Sequence, residues 1–169
     1  MITTDRLHLR PLTEHDADWW VRLHADEEVG RFVGSYTHAQ AAARLHDIQQ
    51  QWKERGHGLC AVELRDTGET IGRCGLNWWK EFDETEIGWT FARTHWGHGY
   101  ATEAARAVLA WGFGPLGLDQ ITAMIHHGNT ASTAVAHRLG FTPLREDTVL
   151  NRPCTVYGLL SASGRHGRP

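Results

Sequence analysis

A glycine-containing junction in the middle of the chain joins a strand-like run to a helical pattern. Residues 84–91 have the apolar and β-branched composition of a strand, Gly97 and Gly99 follow, and residues 100–113 show helical spacing. Glycine lets the backbone turn sharply and approach a ligand closely. The first turn of the helix then carries unpaired N–H groups at the positive end of its dipole. The junction therefore predicts an anion site suited to a pyrophosphate, where the Thr102 hydroxyl adds a donor.

Two better-known phosphate motifs do not fit this junction. A Rossmann GxGxxG motif has a third glycine where this chain has Thr102, and its acidic residue ends a strand, whereas Asp119 precedes one. The GxxxxGK[ST] string of a P-loop is absent from the sequence. On this motif alone, an ordinary glycine-rich turn without a ligand is an equally good interpretation.

The hydrophobic periodicity along the whole chain predicts a mixed α/β (α+β) domain. A turn signal at residues 65–69 between two strand-like runs predicts the start of an antiparallel meander. The strands are predicted at residues 4–12, 59–65, 70–79, 84–91, 120–126, 141–149 and 154–160, and the helices at residues 13–26, 37–56, 100–113 and 130–139. We expect a mostly antiparallel central sheet of about seven strands flanked by about four helices. Residues 1–160 form the single domain, and residues 161–169 form a flexible tail.

Composition excludes several classes of function. With 17 Lys and Arg against 20 Asp and Glu, the net charge of -3 gives no basic footprint for nucleic acid. No apolar run approaches the roughly 20 residues that span a bilayer, and the first ten residues lack a signal-peptide core. The three cysteines, Cys60, Cys74 and Cys154, show no CxxC spacing and cannot all pair. We expect a reduced, cytoplasmic protein that binds neither nucleic acid nor membrane.

The histidines do not form a recognisable metal site. His95 and His98 are three residues apart and His126 and His127 are adjacent, but no HExxH string occurs. A zinc site needs three or four converging ligands and a second shell of partners that hold them. We therefore expect no metal.

A second motif follows the next predicted strand. Asn129-x-x-Ser132 precedes a helical pattern that closes on Leu139-Gly140-Phe141. Together with Gly97-His-Gly99-Tyr-Ala-Thr-Glu-Ala and the opening residues 4–12 (TDRLHLRPL), this motif resembles the GNAT N-acetyltransferases. The chain is most similar to their RimJ/RimL-like branch, the ribosomal-protein alanine N-acetyltransferases. The resemblance extends over residues 3–160, and its motifs are specific in combination.

The resemblance implies acetyl-CoA as co-substrate and assigns residues to it. Strand 84–91 would pair its backbone with the pantetheine arm, Asn129 would bond that arm, and Ser132 would lie nearby. The full set of expected cofactor-binding residues is Trp89, Thr90, Phe91, Thr94, Gly97, His98, Gly99, Tyr100, Ala101, Thr102, Asn129 and Ser132. This chain departs from the family where Thr94 replaces a Gln or Arg, where His98 replaces a frequent Lys or Arg, and where Ala136 replaces a tyrosine acid.

Acetyl transfer to an amine is assisted by a general base. Glu86 on strand 84–91 is the first candidate, because neighbouring tryptophans would raise its pKa by desolvation. A carboxylate that faces water is the alternative interpretation. His126, at the end of the next strand, is the second candidate, although an ordinary histidine at a loop edge is the favoured interpretation. Ser132 is the candidate donor to the leaving sulfur, or else it merely caps a helix.

Trp78, Trp79 and Phe82 are the candidate acceptor-binding residues. Neighbouring residues on a strand face opposite ways, so one tryptophan can pack inward while the other lines a cleft. An exposed or dimer-contact tryptophan is the alternative, and edge strands are compatible with a homodimer. Acidic residues 81, 83, 84 and 86 lie beside them and would attract a cationic amine, or would simply be solvated.

The expected function is direct, acetyl-CoA-dependent acetylation of a primary amine. The acceptor is either a protein N-terminal α-amine or a small molecule such as an amino acid, polyamine or aminoglycoside. The branch resemblance favours an α-amine. A non-catalytic CoA-binding or regulatory module of the same fold is the alternative, and Ala136 in the tyrosine position is compatible with it. A nucleotide-dependent oxidoreductase is a third alternative, which predicts binding of NAD and not of CoA.

Overall fold

The computed structural model describes residues 1–162. Within them the chain forms eight strands and five helices. The strands are β1 (Ile2–Thr3), β2 (Leu7–Pro11), β3 (Leu59–Leu64), β4 (Thr70–Trp79), β5 (Glu84–Phe91), β6 (Gln120–His126), β7 (Thr142–Val149) and β8 (Arg152–Leu160). The helices are α1 (Ala17–Ala25), α2 (Glu27–Val33), α3 (His38–Arg55), α4 (Tyr100–Phe113) and α5 (Thr130–Arg138).

The strands form one sheet in the order β1-β2-β3-β4-β5-β6-β8-β7. Every neighbouring pair is antiparallel except β5 and β6, which run parallel with α4 as their crossover. Their register contains one pair of Cα partners, Glu86 with Thr122, and β4 continues along the other edge of β5. The two strands therefore diverge beyond Glu86, which leaves backbone groups of β5 without a strand partner.

The predicted mixed, mostly antiparallel fold is confirmed, with one more strand and one more helix than expected. The extra strand is the two-residue β1, which pairs with Leu9 and His8. The extra helix is α2. The helix predicted over residues 13–26 is observed as a 3-10 turn at Glu14–Asp16 followed by α1, and α2 then begins at Glu27, beyond the predicted range. Asp26 caps α2 by accepting from the backbone N–H groups of Glu28 and Val29.

The ends of α3 show why the sequence predicts this helix well. Thr37 and Gln40 form a reciprocal capping box at its start, in which the Thr37 hydroxyl accepts from the Gln40 N–H at 3.2 Å. Gly56 ends the helix with φ 70°, a left-handed conformation that glycine adopts without strain. Both signals are local in sequence, and the observed helix agrees with them.

The sheet carries a separate apolar cluster on each face. On one face α4 packs its small residues, including Ala104 and Ala105, against Leu76 and Ile121. On the other face α1 and α3 pack residues such as Trp20 and Leu45 against β3. Alternate residues of β4 and β5 therefore point into different surroundings, which matters for the site described below.

Ser161 and the three cysteines are buried. Ser161, the first residue of the predicted tail, is buried, and its N–H donates to the Asp119 carbonyl at 2.8 Å. Residues 163–169 of that tail lie outside the described residues. The three cysteines are free and buried, and burial raises the pKa of the Cys60 thiol to about 12. Within residues 1–162 no helix has the length and apolar character to cross a membrane.

Candidate active site

Two cavities meet where β5 and β6 diverge. The first has a volume of about 1170 Å³ and lies against α4 and α5. The second has a volume of about 840 Å³ and lies against α3 on the other face of the sheet. Trp89, Asn129 and Ser132 line both cavities, as do Phe32 and Val33 from the end of α2. The opening between the two strands therefore connects the two faces of the sheet.

The loop before α4 forms one end of the first cavity. Gly97 and Gly99 both have φ 78°, in the left-handed region that favours glycine. Gly99 caps α4, and the Glu103 N–H makes the first helical bond to its carbonyl at 3.0 Å. The N–H groups of residues 100–102 consequently have no helical partner and border the cavity. This is a donor cluster at a helix N-terminus, as an anionic group requires.

The structure brings most of the predicted cofactor-binding residues to this cavity. They are Trp89, Thr90, Phe91, Gly97, Gly99, Tyr100, Ala101, Thr102, Asn129 and Ser132. Thr94 and His98 are exposed and are not part of the cavity wall. The His98 ring stacks on Tyr100 with centroids 5.7 Å apart. Two of the twelve predicted residues therefore keep their side chains away from the cavity.

Arginines that the sequence analysis did not single out line the first cavity near the loop before α4. Arg6 is fixed by Glu103, to which its Nε donates at 2.7 Å, and its Nη2 lies 3.7 Å from where a Cβ on Gly99 would stand. Arg106 and Arg138 also line the cavity. Arg106 follows Thr102 by one turn of α4, which is a signal the sequence offers, whereas the approach of Arg6 depends on a distant strand.

Asn129 and Ser132 divide two tasks at the start of α5. Asn129 is the helix cap, and its Oδ1 accepts from the Ser132 N–H at 3.2 Å. Its carbonyl accepts from the Thr133 hydroxyl at 3.1 Å. The Ser132 hydroxyl makes no hydrogen bond to the described residues, so it is not the capping group. Both the Asn129 amide N–H₂ and the Ser132 hydroxyl thus stay available to a ligand in the opening.

Ala136, which occupies the tyrosine position of the family pattern, is fully buried in the cluster under α4. A side chain there faces the core and has no room for a ring. Among the described residues of α5, Ser132 is the hydroxyl that reaches the wall shared by both cavities.

Glu86 lies in the wall of the second cavity at the point where β5 and β6 last pair. Burial raises the pKa of its carboxyl group, while hydrogen bonds from the Trp79 indole and the Met124 backbone act in the opposite direction. The indole Nε1 donates to Glu86 Oε2 at 2.6 Å. The carboxylate is therefore oriented and less acidic than usual, which suits a proton acceptor.

The other predicted catalytic and acceptor residues have mixed positions. His126 lines the second cavity, and burial lowers the pKa of its imidazole. Trp78 and Trp79 line it too, and the Arg55 guanidinium covers the Trp78 ring at 3.3 Å from its centroid. Phe82 packs behind Trp79, with centroids 6.2 Å apart, and is not part of the cavity wall.

Comparison with known proteins identifies the family. A family model described as "Acetyltransferase (GNAT) domain" matches residues 6–142. The chain belongs to the GNAT acetyltransferase family. A GNAT relative, the N-acetyltransferase YoaA of Bacillus subtilis (strain 168), is 31% identical over 145 residues, which cover 83% of this chain and 82% of YoaA.

Solved acetyltransferase structures share the fold. The acetyltransferase from Agrobacterium tumefaciens str. C58 superposes with a TM-score of 0.82 at 33% identity, covering 94% of this chain and 92% of that one. The ribosomal L7/L12 acetyltransferase RimL, in complex with coenzyme A, superposes with a TM-score of 0.78 over 94% of this chain and 96% of its own. At 14% identity RimL shows the likeness of fold alone.

The resemblance to the GNAT N-acetyltransferases is thus confirmed, and the RimJ/RimL-like branch stays a prediction. The GNAT family uses acetyl-CoA. Within residues 1–162 no group of three or more His, Cys, Asp or Glu side chains is arranged to hold a metal ion. The expected homodimer and cytoplasmic location stay predictions.

Proposed function

We propose that this GNAT enzyme transfers the acetyl group of acetyl-CoA directly to a primary amine held in the second cavity. One observation supports this division of the site. Trp89, Asn129 and Ser132 line both cavities, and Glu86 stands in the wall of the second cavity on the strand that separates them. A donor in the first cavity and an acceptor in the second can therefore meet at one opening, as direct transfer requires.

The first cavity fits coenzyme A by its donor set. The N–H groups of residues 100–102, together with Arg6, Arg106 and Arg138, suit a diphosphate with its negative charges. The β5 backbone near Trp89 lacks a strand partner on its β6 side, which suits the amides of a pantetheine arm. Acetyl-CoA supplies the acetyl group as an activated thioester.

The second cavity supplies the acid–base chemistry. Glu86 accepts the proton that the amine loses as the new C–N bond forms and the thioester C–S bond breaks. Ser132 provides the α5 hydroxyl that lines the opening, and we assign it a hydrogen bond to the departing sulfur, which takes up the proton from Glu86 through solvent. The products are an amide and free CoA thiol. His126 stays neutral at pH 7 because burial lowers the pKa of its imidazole, so it is the second candidate for the base.

Either acceptor class expected from the sequence is compatible with these groups. An α-amino group has a pKa near 8, so about a tenth or more of it is neutral at pH 7, whereas a lysine amine is almost fully charged. The 840 Å³ of the second cavity lies within the range of small-molecule sites. A protein N-terminus would have to insert its first residues into this cavity.

The alternative, a CoA-binding module without catalysis, draws support from the buried Ala136 in place of a tyrosine acid. It predicts CoA binding with no turnover. The oriented, desolvated Glu86 has no role in such a module, which favours the enzyme.

Thiol release and calorimetry with acetyl-CoA and a panel of primary amines test this proposal. We expect CoA binding in the absence of amine and thiol release in the presence of an acceptor. Glu86→Gln, which keeps the shape of the side chain, should lower kcat by about 10²-fold or more with little change in CoA affinity. His126→Gln is the matched comparison, and a larger loss in that variant would transfer the base role to His126. Binding without thiol release from any amine would support the non-catalytic module.

A further inference from the structure

Two arginines line the second cavity without a carboxylate partner. Arg73 extends from β4 and Arg44 from α3. Arg44 Nη2 donates to the neutral Asn77 Oδ1 at 2.9 Å, whereas Arg73 Nε is buried with no hydrogen-bond partner. Neither arginine forms an ion pair with any carboxylate in residues 1–162. By contrast, Arg10 and Arg145 each bind two carboxylates.

Leaving the Arg73 guanidinium in this state is costly to the protein. A guanidinium has five N–H donors, and none of those of Arg73 is bonded to the described residues. The Trp20 ring lies 5.1 Å from its Cζ and covers it with a cation–π contact. Burial lowers its pKa to about 10, so the group stays charged at neutral pH. Such a charge, unpaired and with a buried Nε that has no acceptor, is destabilising, and an anion bound in the cavity would offset part of that cost.

Arg73 and Glu86 lie close enough on one face of the sheet for a single small ligand to contact both. Arg73, Gly75 and Asn77 of β4 lie on the same sheet face as Thr90, Gly88 and Glu86 of β5, with which they pair in that order. Arg73 Nη1 lies only 3.7 Å from where a Cβ on Gly88 would stand. Gly88 is two residues from Glu86, a separation of about 7 Å along a strand. A small molecule can therefore reach both groups across Gly88, which has no side chain of its own.

The charges deeper in the cavity differ from those at its rim. The rim residues are exposed and nearly balanced in charge: Asp47, Glu54 and Glu81 against Arg55 and Lys80. Deeper in, Arg44 and Arg73 face one carboxylate, Glu86, which forms no ion pair with either. A cationic acceptor would meet two guanidinium groups there, whereas an anionic group would satisfy them.

We propose that the acceptor is a small amine that also carries a carboxylate or phosphate group, which Arg73 binds with the assistance of Arg44. This inference rests on the proposed function and specifies its substrate. The amine end lies toward Glu86 and the anionic end toward Arg73, so both arginines determine specificity and orient the amine. Polyamines and aminoglycosides, which have cations at every end, are excluded as good acceptors.

Matched pairs of amines test the proposal directly. Free α-amino acids are compared with their carboxamides, and phosphoethanolamine with ethanolamine, with putrescine as a cationic probe. The readouts are kcat/KM for thiol release and calorimetric binding of each amine to the protein–CoA complex. We expect the preferred acid to exceed its neutral partner by about 100-fold or more, since a buried charge pair contributes on this scale. The carboxylate and phosphate pairs show which anion is preferred.

Variants locate the selectivity. Arg73→Met should lower kcat/KM for the acid about 100-fold more than for the amide, because the raised pKa of Glu86 affects both substrates alike while the lost anion contact affects only the acid. Arg73→Lys, which keeps the charge but loses the planar fork, should retain part of the preference. Arg44→Gln should weaken it less. Arg22→Gln, an exposed arginine on α1, is the control with unchanged selectivity.

Two results would overturn the inference while leaving the enzyme assignment intact: equal use of acids and amides by the unmodified protein, or equal loss of both in Arg73→Met with CoA affinity retained. If no amine releases thiol, the proposed function fails. The inference is then tested by comparing how tightly the anionic and neutral amines bind to the protein–CoA complex. Tighter binding of the anionic amine in each matched pair supports the inference, and equal binding of both members refutes it.

Discussion

Glu86 is subject to two opposing effects on one carboxylate. Burial raises the pKa of its carboxyl group, and the Trp79 indole donates to the ionised form at 2.6 Å and lowers it. The indole thus favours the ionised form of the carboxyl group and fixes the direction of Oε2. The tryptophan predicted to line an acceptor cleft also tunes the proposed base.

Trp79→Phe removes that donor and keeps most of the ring area. The pKa of Glu86 should then rise further, because the ionised carboxylate loses a hydrogen-bond donor. Glu86 must be deprotonated to accept a proton, so the acidic limb of kcat/KM against pH should move to higher pH. A limb that stays in place or moves to lower pH would contradict a base role for Glu86.

The sequence analysis did not predict the roles of three arginines in the two cavities, and one physical reason applies to all three. Arg73, Arg44 and Arg6 act through neighbours that are distant along the chain, and an arginine in a strand or helix looks like any solvated cation. Asn129 and Ser132 were predictable because their capping bond spans three residues. A contact between residues close in sequence can be predicted from a short motif. Whether an arginine forms an ion pair depends on residues that only the folded sheet brings next to it.

The junction before α4 is the element whose geometry supports the donor site. Gly99 has φ 78°, as Gly97 does, and a Cβ there would lie 3.7 Å from Arg6 Nη2. The conformation places the free N–H groups of residues 100–102 on the cavity. Any L side chain at this position strains the backbone that positions them.

Gly99→Ala should weaken acetyl-CoA binding about tenfold or more, because the backbone strain of about 1–2 kcal/mol is relieved by rotating the donors away. Gly68→Ala is the matched control. Gly68 has φ 73°, a Cβ there would meet no atom within 4 Å, and it lies in the turn between β3 and β4. Calorimetry on both variants decides the matter, and similar losses of affinity in the two would disprove the placement of the phosphates.

Helix α2 shows how a local signal can mislead at the scale of an element. Gly30 in its centre disfavours a helix by propensity, and the helix has only seven residues. In the structure a Cβ on Gly30 would lie 2.8 Å from the His24 carbonyl oxygen of α1. The glycine that argues against the helix in sequence is thus the residue that lets two helices approach closely.

The molecule as a whole contains a buried histidine that links its stability to pH. His24 is almost fully buried, its Nδ1 lies 2.8 Å from the Trp20 carbonyl, and its ring stacks on Trp20. Desolvation lowers its pKa to about 4, with a further contribution from Arg73. The unfolded chain takes up a proton on this histidine near pH 6.5, and the folded chain does so only near pH 4.

The free energy of unfolding should therefore fall by about 1–3 kcal/mol on this account as the pH drops from 6.5 to 4. His24→Phe, which keeps an aromatic ring in the stack, should remove that part of the pH dependence. Urea unfolding at pH 7 and pH 4.5 measures it in both proteins. The pKa of His57 is also lowered by burial, and it contributes equally in the unmodified protein and in His24→Phe. The same pH dependence of the unfolding free energy in both proteins would therefore exclude the role of His24.

The sheet order has a consequence for how the molecule is completed. The last strand, β8, lies inside the sheet between β6 and β7. Until residues 152–160 have been synthesised, β7 has no strand to join and β6 presents an open edge beside the substrate opening. Polypeptides interrupted before residue 152 should thus be inactive and prone to self-association through that edge, and activity should arise only once residues 152–160 have joined the sheet.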